Sequence, residues 1–576
     1  MTDIAIPAQR PVGDDGLLLH EGDHIAQLAL AVENLERVLS ASGFRPAELV
    51  RISVSTTARS LFDEAAEVLT ERLAWHGVDP EIVVTDVSWL GQPGMTMAVG
   101  ATVRTAATTV HEEEPLSITD PTTTPEQSLA AQLRGLCEGR VHLPGDPDYD
   151  RTRTPWAVHV DQRPAAVAVP HTAQEVVEVV RAAAAAGLRL APQSSGHGAG
   201  PLAGRDLSDV VLVRLNELTG VSIDPERRLA RVLGGTLWQE VIEAAAPHGL
   251  TALHGSSPDV AVAGYTLGGG LSWYARQHGL AAHHVRAVEV VLADGRLVRA
   301  DADHEPTLFW ALKGGGGSFG IVVALEFDLF PIPDAYAGML LWPGERAREV
   351  IQRWVEWTRT APDSVTTSLR LMNFPPLPEL PPFLSGRNLV VVDGAVIAAD
   401  DTAAAILAPL RELQPEMDTF GRVPSVAVPR IHMDPEGPTP SVTNAVMLDD
   451  LPPAAIEALL AAAGPDSGSS VLAAELRQLG GVLRRPSDAA LGTLSGEYLA
   501  FFVAIAATPE LGALGSADAS RGVVALAPWA SRERYLNFDD NAVEVAAGYP
   551  TQSWWRLQAV RDLVDPDRRL LANHPL

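Results

Sequence analysis

Residues 193–200 read QSSGHGAG, residues 264–270 read GYTLGGG, and residues 314–320 read GGGGSFG. Three glycine clusters inside about 125 residues decide the reading of the fold, because glycine lets backbone approach a ligand and aim successive N–H groups at phosphate oxygens. Together they suggest a dinucleotide held by loops, although any one of them alone reads equally well as a turn. Gly315–Gly320 matches G-x-G-x-x-G literally, but a helix-like stretch (TLFWALK) precedes it and an alternating strand follows, the reverse of the Rossmann order. Lys313, the only lysine, is not in a G-K-[ST] context, so a phosphate loop of the nucleotide-hydrolysing kind is excluded.

Working outward, 150–332 alternates strands and helices. Thr172 with Glu175 forms a capping box. The helix it opens carries Val176, Val177 and Val180 on one face and stops at Gly187. LRLAP runs into the first glycine loop, and VVLVRL (210–215) reads as a buried strand. Residues 236–247 read as a helix with Leu237, Val241 and Ile242 inward. VEVVLADGRLVRAD (288–301) reads as a hairpin turning at Asp294–Gly295, and IVVALEFDLF (321–330) as a half-exposed strand. Residues 333–525 mix strands and helices, and 526–576 form a short aromatic tail. TAATTVHEEEPLSITDPTTTP (105–125) lacks periodic hydrophobicity and reads as a linker. The unit before it predicts a helix over 25–39, strands at 49–56, 81–90 and 95–105, and a second helix over 60–77.

The chain has 576 residues, 43 Lys+Arg against 72 Asp+Glu, and a net charge of −29. Most of such a surface repels a phosphate backbone, which excludes a nucleic-acid partner. The single cysteine, Cys137, excludes a disulfide framework and a cysteine-based zinc cluster. No secretory signal and no membrane-spanning run is read, so the expected location is the cytoplasm. His20-Glu21-Gly22-Asp23-His24 matches H-E-x-x-H, but Gly22-Asp23 reads as a turn and helix cap, and His111-Glu112-Glu113 lies in the linker. No metal site is expected. No G-x-S-x-G elbow occurs: Ser257 is followed by Pro258.

The order of these pieces resembles the FAD-linked oxidases of the vanillyl-alcohol oxidase (PCMH-type) fold, in their berberine-bridge-enzyme-like branch. PAAVAVPHTAQEVVEVVRAAAAAGLRLAPQSSGHGAG is similar to its first FAD half-domain, and SSPDVAVAGYTLGGGLSWYARQHGLAAHHV to its second flavin segment. LFWALKGGGGSFGIVVALEFDLFP resembles the segment closing that domain, and RYLNFDD with DLVDPDRRLLANHPL the returning C-terminal piece. The resemblance implies an α+β chain. A two-part FAD-binding domain (150–332) is joined to an α/β substrate domain (333–525) and a C-terminal segment (526–576). A linker and helix (107–149) and a small α+β domain (1–106) precede them.

The resemblance also implies FAD, a small-molecule substrate and O2 or another electron acceptor. Its FAD contacts fall on Gln193, Ser194, Ser195, Gly196, His197 and Gly198; on Ser257, Pro258, Val260, Gly264, Gly268, Gly269, Gly270, Gly279 and Leu280; on Gly320 and Ile321; and on Asn537. His197 takes the place of the histidine that links to the flavin 8α-methyl. Ser257 stands where a second, cysteinyl link would need sulfur. Val260 falls where oxygen-reactive relatives tend to carry valine. Relatives carry Y-x-N-Y near the C-terminus with the second tyrosine as base, whereas here the segment is Tyr535-Leu536-Asn537-Phe538. Tyr535, or an acid or tyrosine from 333–525, is then the candidate base. His432 lies far away in sequence.

IAQLALAVENLERVLSASGFRPAELVRISVST in the N-terminal unit resembles the Rid family of imine and enamine deaminases. Ile82 replaces that family's arginine, and Ala98 and Gly100 replace its carboxylates. A degenerate unit serving homo-oligomeric assembly or packing is expected. A non-catalytic scaffold built on two degenerate enzyme folds is the alternative to a flavin enzyme.

Overall fold

The computed structural model describes residues 129–376 and 384–576 throughout. Before them it describes 2–9, 49–57, 80–86, 96–105 and parts of two helices. The H-E-x-x-H stretch and the linker lie outside the described residues. The chain divides into two units, Met1–Pro121 and Thr122–Leu576.

The first unit holds a four-stranded sheet in the order Thr2–Gln9, Met97–Thr105, Leu49–Thr56, Glu81–Asp86, of which only the last pair is parallel. Its first strand carries no signal that the sequence reading used. Leu28, Val32 and Leu35, at helical spacing, bury against Ile52, Val54 and Val99 of the sheet.

The described residues of the second unit hold three sheets. The first orders Val141–His142, Ala166–Ala168, Val210–Arg214 and Arg189–Gln193, parallel after its first pair. The helix Ala173–Ala185 covers it, and the Thr172–Glu175 capping box is present. The C-terminus returns to this sheet: Leu571 N–H donates to Leu190 O at 2.8 Å and Leu190 N–H to Arg569 O at 2.8 Å. The second sheet is antiparallel, in the order Leu297–Asp301, Val285–Val291, Ile321–Asp328, Leu229–Leu233, Val221–Asp224. Ile321–Asp328 is thus a central strand, buried over most of its length, where the sequence reads as half-exposed. The alternation misleads because its acids are paired across the face, Glu326 with Arg299 at 2.8 Å and Asp328 with Arg286 at 2.6 Å. Leu237 is likewise corrected: it caps the helix Trp238–Ala245 instead of facing inward with Val241 and Ile242.

The third sheet is antiparallel and is built on Asp334–Pro343, Asn388–Val396, Val365–Asn373, Ala473–Gln478, Tyr498–Ile505 and Ser441–Leu448, with two short strands at its first edge. Alternation decides its faces. Leu340, Leu369, Leu371, Val390, Val392, Leu476 and Phe502 bury against helices that include Ala347–Thr358 and Asp400–Arg411. The residues between them face the other way, toward the glycine loops. No helix among the described residues is long and apolar enough to cross a membrane.

Candidate functional site

A cavity of about 1220 Å³ lies between the glycine loops and the free face of the third sheet. Gln193, Ser194, Ser195, Gly196, His197, Gly198, Ser257, Val260, Gly264, Gly268, Gly320, Tyr535, Asn537 and Phe538 line it. Pro258, Gly269, Gly270, Gly279, Leu280 and Ile321 do not: they support the wall from behind. Pro258 O accepts from Gln239 N–H at 3.0 Å. A Cβ on Gly269 would press on Leu491 and Tyr535, and one on Gly270 on Tyr265 and Ala281. Gly279 ends the helix Ala275–His278 at φ 85°, while Leu280 and Ile321 are core residues.

His197 is held by residues from two distant segments. Its ring stacks on Trp156, centroids 3.9 Å apart and planes at 19°. Its Nε2 lies 3.2 Å from Asp259 Oδ1, although without the alignment of a good hydrogen bond. Asp259 also accepts from Trp156 Nε1–H at 2.7 Å, Ser257 Oγ–H at 2.7 Å and Gly437 N–H at 2.9 Å. Burial would raise its pKa, but His197, the Gly437 amide and the Ser257 hydroxyl outweigh it and hold the carboxyl well below the usual range. Ser257 therefore works as a support for Asp259.

Gly268 is required by contact: a Cβ there would sit 1.7 Å from Asn537 Oδ1. That approach lets Asn537 Nδ2–H donate to Tyr265 O at 2.8 Å, tying the C-terminal segment to the second glycine segment. Tyr535 is buried and stacks on Phe538 at 5.7 Å. Burial pushes its phenol well above its ordinary pKa, which makes Tyr535 a poor base.

The sheet face contributes a buried charged cluster, which sequence reasoning missed except for a note that His432 lies far away. His432 is 3% exposed, and its Nδ1 is 2.9 Å from Asp393 Oδ2. Its Nε2 is 3.7 Å from Glu475 Oε2 and 3.8 Å from Asp434 Oδ1. Arg370 donates to Asp393 at 2.5 Å. Arg477 donates to Glu475 at 2.5 Å and to Ser256 Oγ at 2.9 Å, and its guanidinium lies 4.9 Å from the Phe538 ring centroid. Burial and Arg370 push the His432 pKa down, but Asp393, Asp434 and Glu475 outweigh them and lift it to about 9. At neutral pH three cations then face three carboxylates, and the cluster is balanced. Adjacent His283 and His284 bind separate carbonyls, of Leu491 and His278. Among the described residues no side-chain cluster could hold a metal ion.

Residues 164–301 match a family model described as an FAD binding domain. The (R)-6-hydroxynicotine oxidase of Paenarthrobacter nicotinovorans is 32% identical over 206 residues, 36% of this chain and 44% of that protein. The xylooligosaccharide oxidase of Thermothelomyces thermophilus is 34% identical over 213 residues, 36% of this chain and 42% of that one. The chain thus spans less than half the length of these curated relatives. Among solved structures, BBE-like 1 of Physcomitrella patens has a TM-score of 0.67 at 20% identity, covering 78% of this chain and 98% of that one. The 6-hydroxy-D-nicotine oxidase of Arthrobacter nicotinovorans has 0.63 at 21%, covering 74% and 95%. The fold is therefore the PCMH-type fold of berberine-bridge-enzyme-like proteins, and the chain carries an FAD-binding domain, as the resemblance implied.

The walls fit that cofactor. Gln193 Nε2 and Tyr265 Oη are buried without a hydrogen-bond partner among the described residues, and both residues line the cavity. A Cβ on Gly264 or Gly316 would meet nothing within 4 Å, so these glycines border free volume that backbone alone can approach closely.

Proposed function

We propose that this FAD-binding chain is a flavin-dependent oxidoreductase, an oxidase, that takes hydride from a carbon bearing oxygen or nitrogen on a small molecule. One observation carries the reading: a single cavity joins glycine-rich loops suited to a dinucleotide to a sheet face bearing buried charge. The printed activities of the two curated relatives support it. FAD, when bound, supplies the hydride acceptor. The chain's residues do the rest. Gln193, Gly264 and Gly316 shape the dinucleotide wall, and Val260 lies in it, which favours O2 as the final acceptor. Phe538 gives the reacting region an apolar edge under Arg477 and cannot exchange a proton. His432, oriented by Asp393, holds a proton at neutral pH and offers Nε2–H to a substrate oxygen or nitrogen.

We infer that the flavin is attached through His197 alone. With Nε2 turned to Asp259, the free lone pair is on Nδ1, and Ser257 has no sulfur to form a second link. The N-terminal unit we read as a degenerate Rid-like domain that serves assembly; exposed Ile82 and buried Ala98 leave it without the charged groups of an active one. The test is direct. Purified protein should be yellow, and a substrate should bleach it without oxygen. Acid precipitation should leave flavin in the pellet of the parent and in the supernatant of His197→Ala. A colourless protein that takes up no FAD would overturn the enzyme reading.

A further inference from the structure

The free face of the third sheet is graded along its strands. Cross-strand register sets Asp393, Ser368 and Arg477 in one row, and Arg370, Glu475 and Phe501 in the next. Two residues further along, the row is Met372, Ala473 and Val503, with Thr443 opposite Val503 at its far edge. Leu384, Phe374 and Leu472 line the same end of the cavity. The charged rows adjoin the C-terminal segment, since Arg477 and Phe501 both pack on Phe538, the latter at 5.0 Å. One end of the cavity is therefore charged, beside the segment tied to the glycine loops, and the other is apolar.

A polyhydroxylated ligand needs hydrogen-bonding groups along its whole length, because each buried hydroxyl left unpaired weakens binding. The Met372–Val503 row has little to give: its one hydroxyl, on Thr443, is already donated to Asp540 at 2.6 Å. The charged end has more: Arg370 Nε and Asp393 Oδ1 have no hydrogen-bond partner among the described residues, and His432 Nε2 meets Glu475 and Asp434 only at 3.7 and 3.8 Å. Resting on the reading above, we propose that the cavity selects a substrate with one polar end, which reacts beside Phe538, and an apolar body lying on Met372 and Val503, over an oligosaccharide.

Holoprotein is titrated without oxygen with n-alkan-1-ols from butanol to octanol, 1,8-octanediol and xylotetraose. Flavin absorbance and tryptophan fluorescence report binding. Affinity should rise about fourfold per methylene. The diol should bind about tenfold more weakly than octanol, because its second hydroxyl is buried without a partner. Val503→Thr, isosteric with the parent, and Met372→Gln should each weaken octanol by about tenfold. Flat dependence on chain length, a diol equal to octanol, or xylotetraose binding tighter than octanol would overturn the proposal. A colourless protein that still shows the alcohol series by tryptophan fluorescence would sink the flavin reading and leave this one standing. A yellow protein bleached by xylotetraose would do the reverse.

Discussion

Asp259→Asn changes one atom type in the structure that holds His197, and its consequences differ for stability and for flavin attachment. The carboxylate's Oδ2 accepts from Trp156 Nε1–H and Gly437 N–H, and its Oδ1 accepts from Ser257 Oγ–H and faces His197 Nε2. Asparagine keeps its oxygen for the first two donors, which cannot reverse, and turns its NH2 toward Ser257 and His197. Ser257 can accept instead of donating. The loss is the difference between charge-assisted and neutral bonds, about 2 kcal/mol at pH 7. Because the folded-state pKa of Asp259 is depressed, its contribution is present above the unfolded value of about 3.9. The stability gap should therefore hold from pH 5 to 8 and close as pH falls below that value. His197 responds through its tautomer. Facing the carboxylate, Nε2 carries the proton and Nδ1 is the nucleophile; facing an amide N–H, Nε2 must accept and Nδ1 is protonated. A wrong tautomer in an acid–histidine pair costs about 10⁴-fold in rate. Asp259→Asn should therefore take up FAD but release it on acid precipitation, while urea midpoints show a modest loss. A variant whose flavin stays in the pellet as fully as the parent's would refute the reasoning.

Two glycines separate cofactor space from packing space. Gly264→Ala should leave urea stability unchanged and lower the flavin-to-protein absorbance ratio, whereas Gly268→Ala should lower that ratio and also cost about 1–3 kcal/mol by displacing Asn537. His432→Gln probes the raised pKa of about 9. A raised histidine pKa stabilises fully below the unfolded value of about 6.5 and loses that contribution as pH rises through 9. Parent and variant should then differ by about 3 kcal/mol more at pH 6 than at pH 10 in denaturant unfolding, and a pH-independent gap would show that the ring is neutral.

What could be read from the chain alone follows from how local each signal is. The Thr172–Glu175 cap, the Asp294–Gly295 turn and the glycine loops each lie within a few residues, and His197 stands out because it sits between two glycines. Asp259 does not, since apart from the neighbouring Ser257 its partners come from residues 156, 197 and 437, and nothing near it marks a carboxylate that gathers them. The charged cluster is more dispersed still, with Asp393, His432 and Glu475 each about 40 residues apart in sequence. A signal for it nevertheless exists. LRLMN, VVVDGAV and AAELRQ each place a charge where a buried strand repeats Val, Leu or Ala, and an ionised group on such a strand is tolerated only when paired. Read singly, each looks like an edge or a strand end. Read together, three interrupted strands carrying Arg370, Asp393, Glu475 and Arg477 imply two cations and two acids on a shared face. Asp434, 35% exposed, adds a third acid at the edge of that face, and His432, two residues earlier, is the side chain there that can become a cation. The histidine thus follows from a charge balance over non-adjacent strands, which periodicity along any single segment does not display.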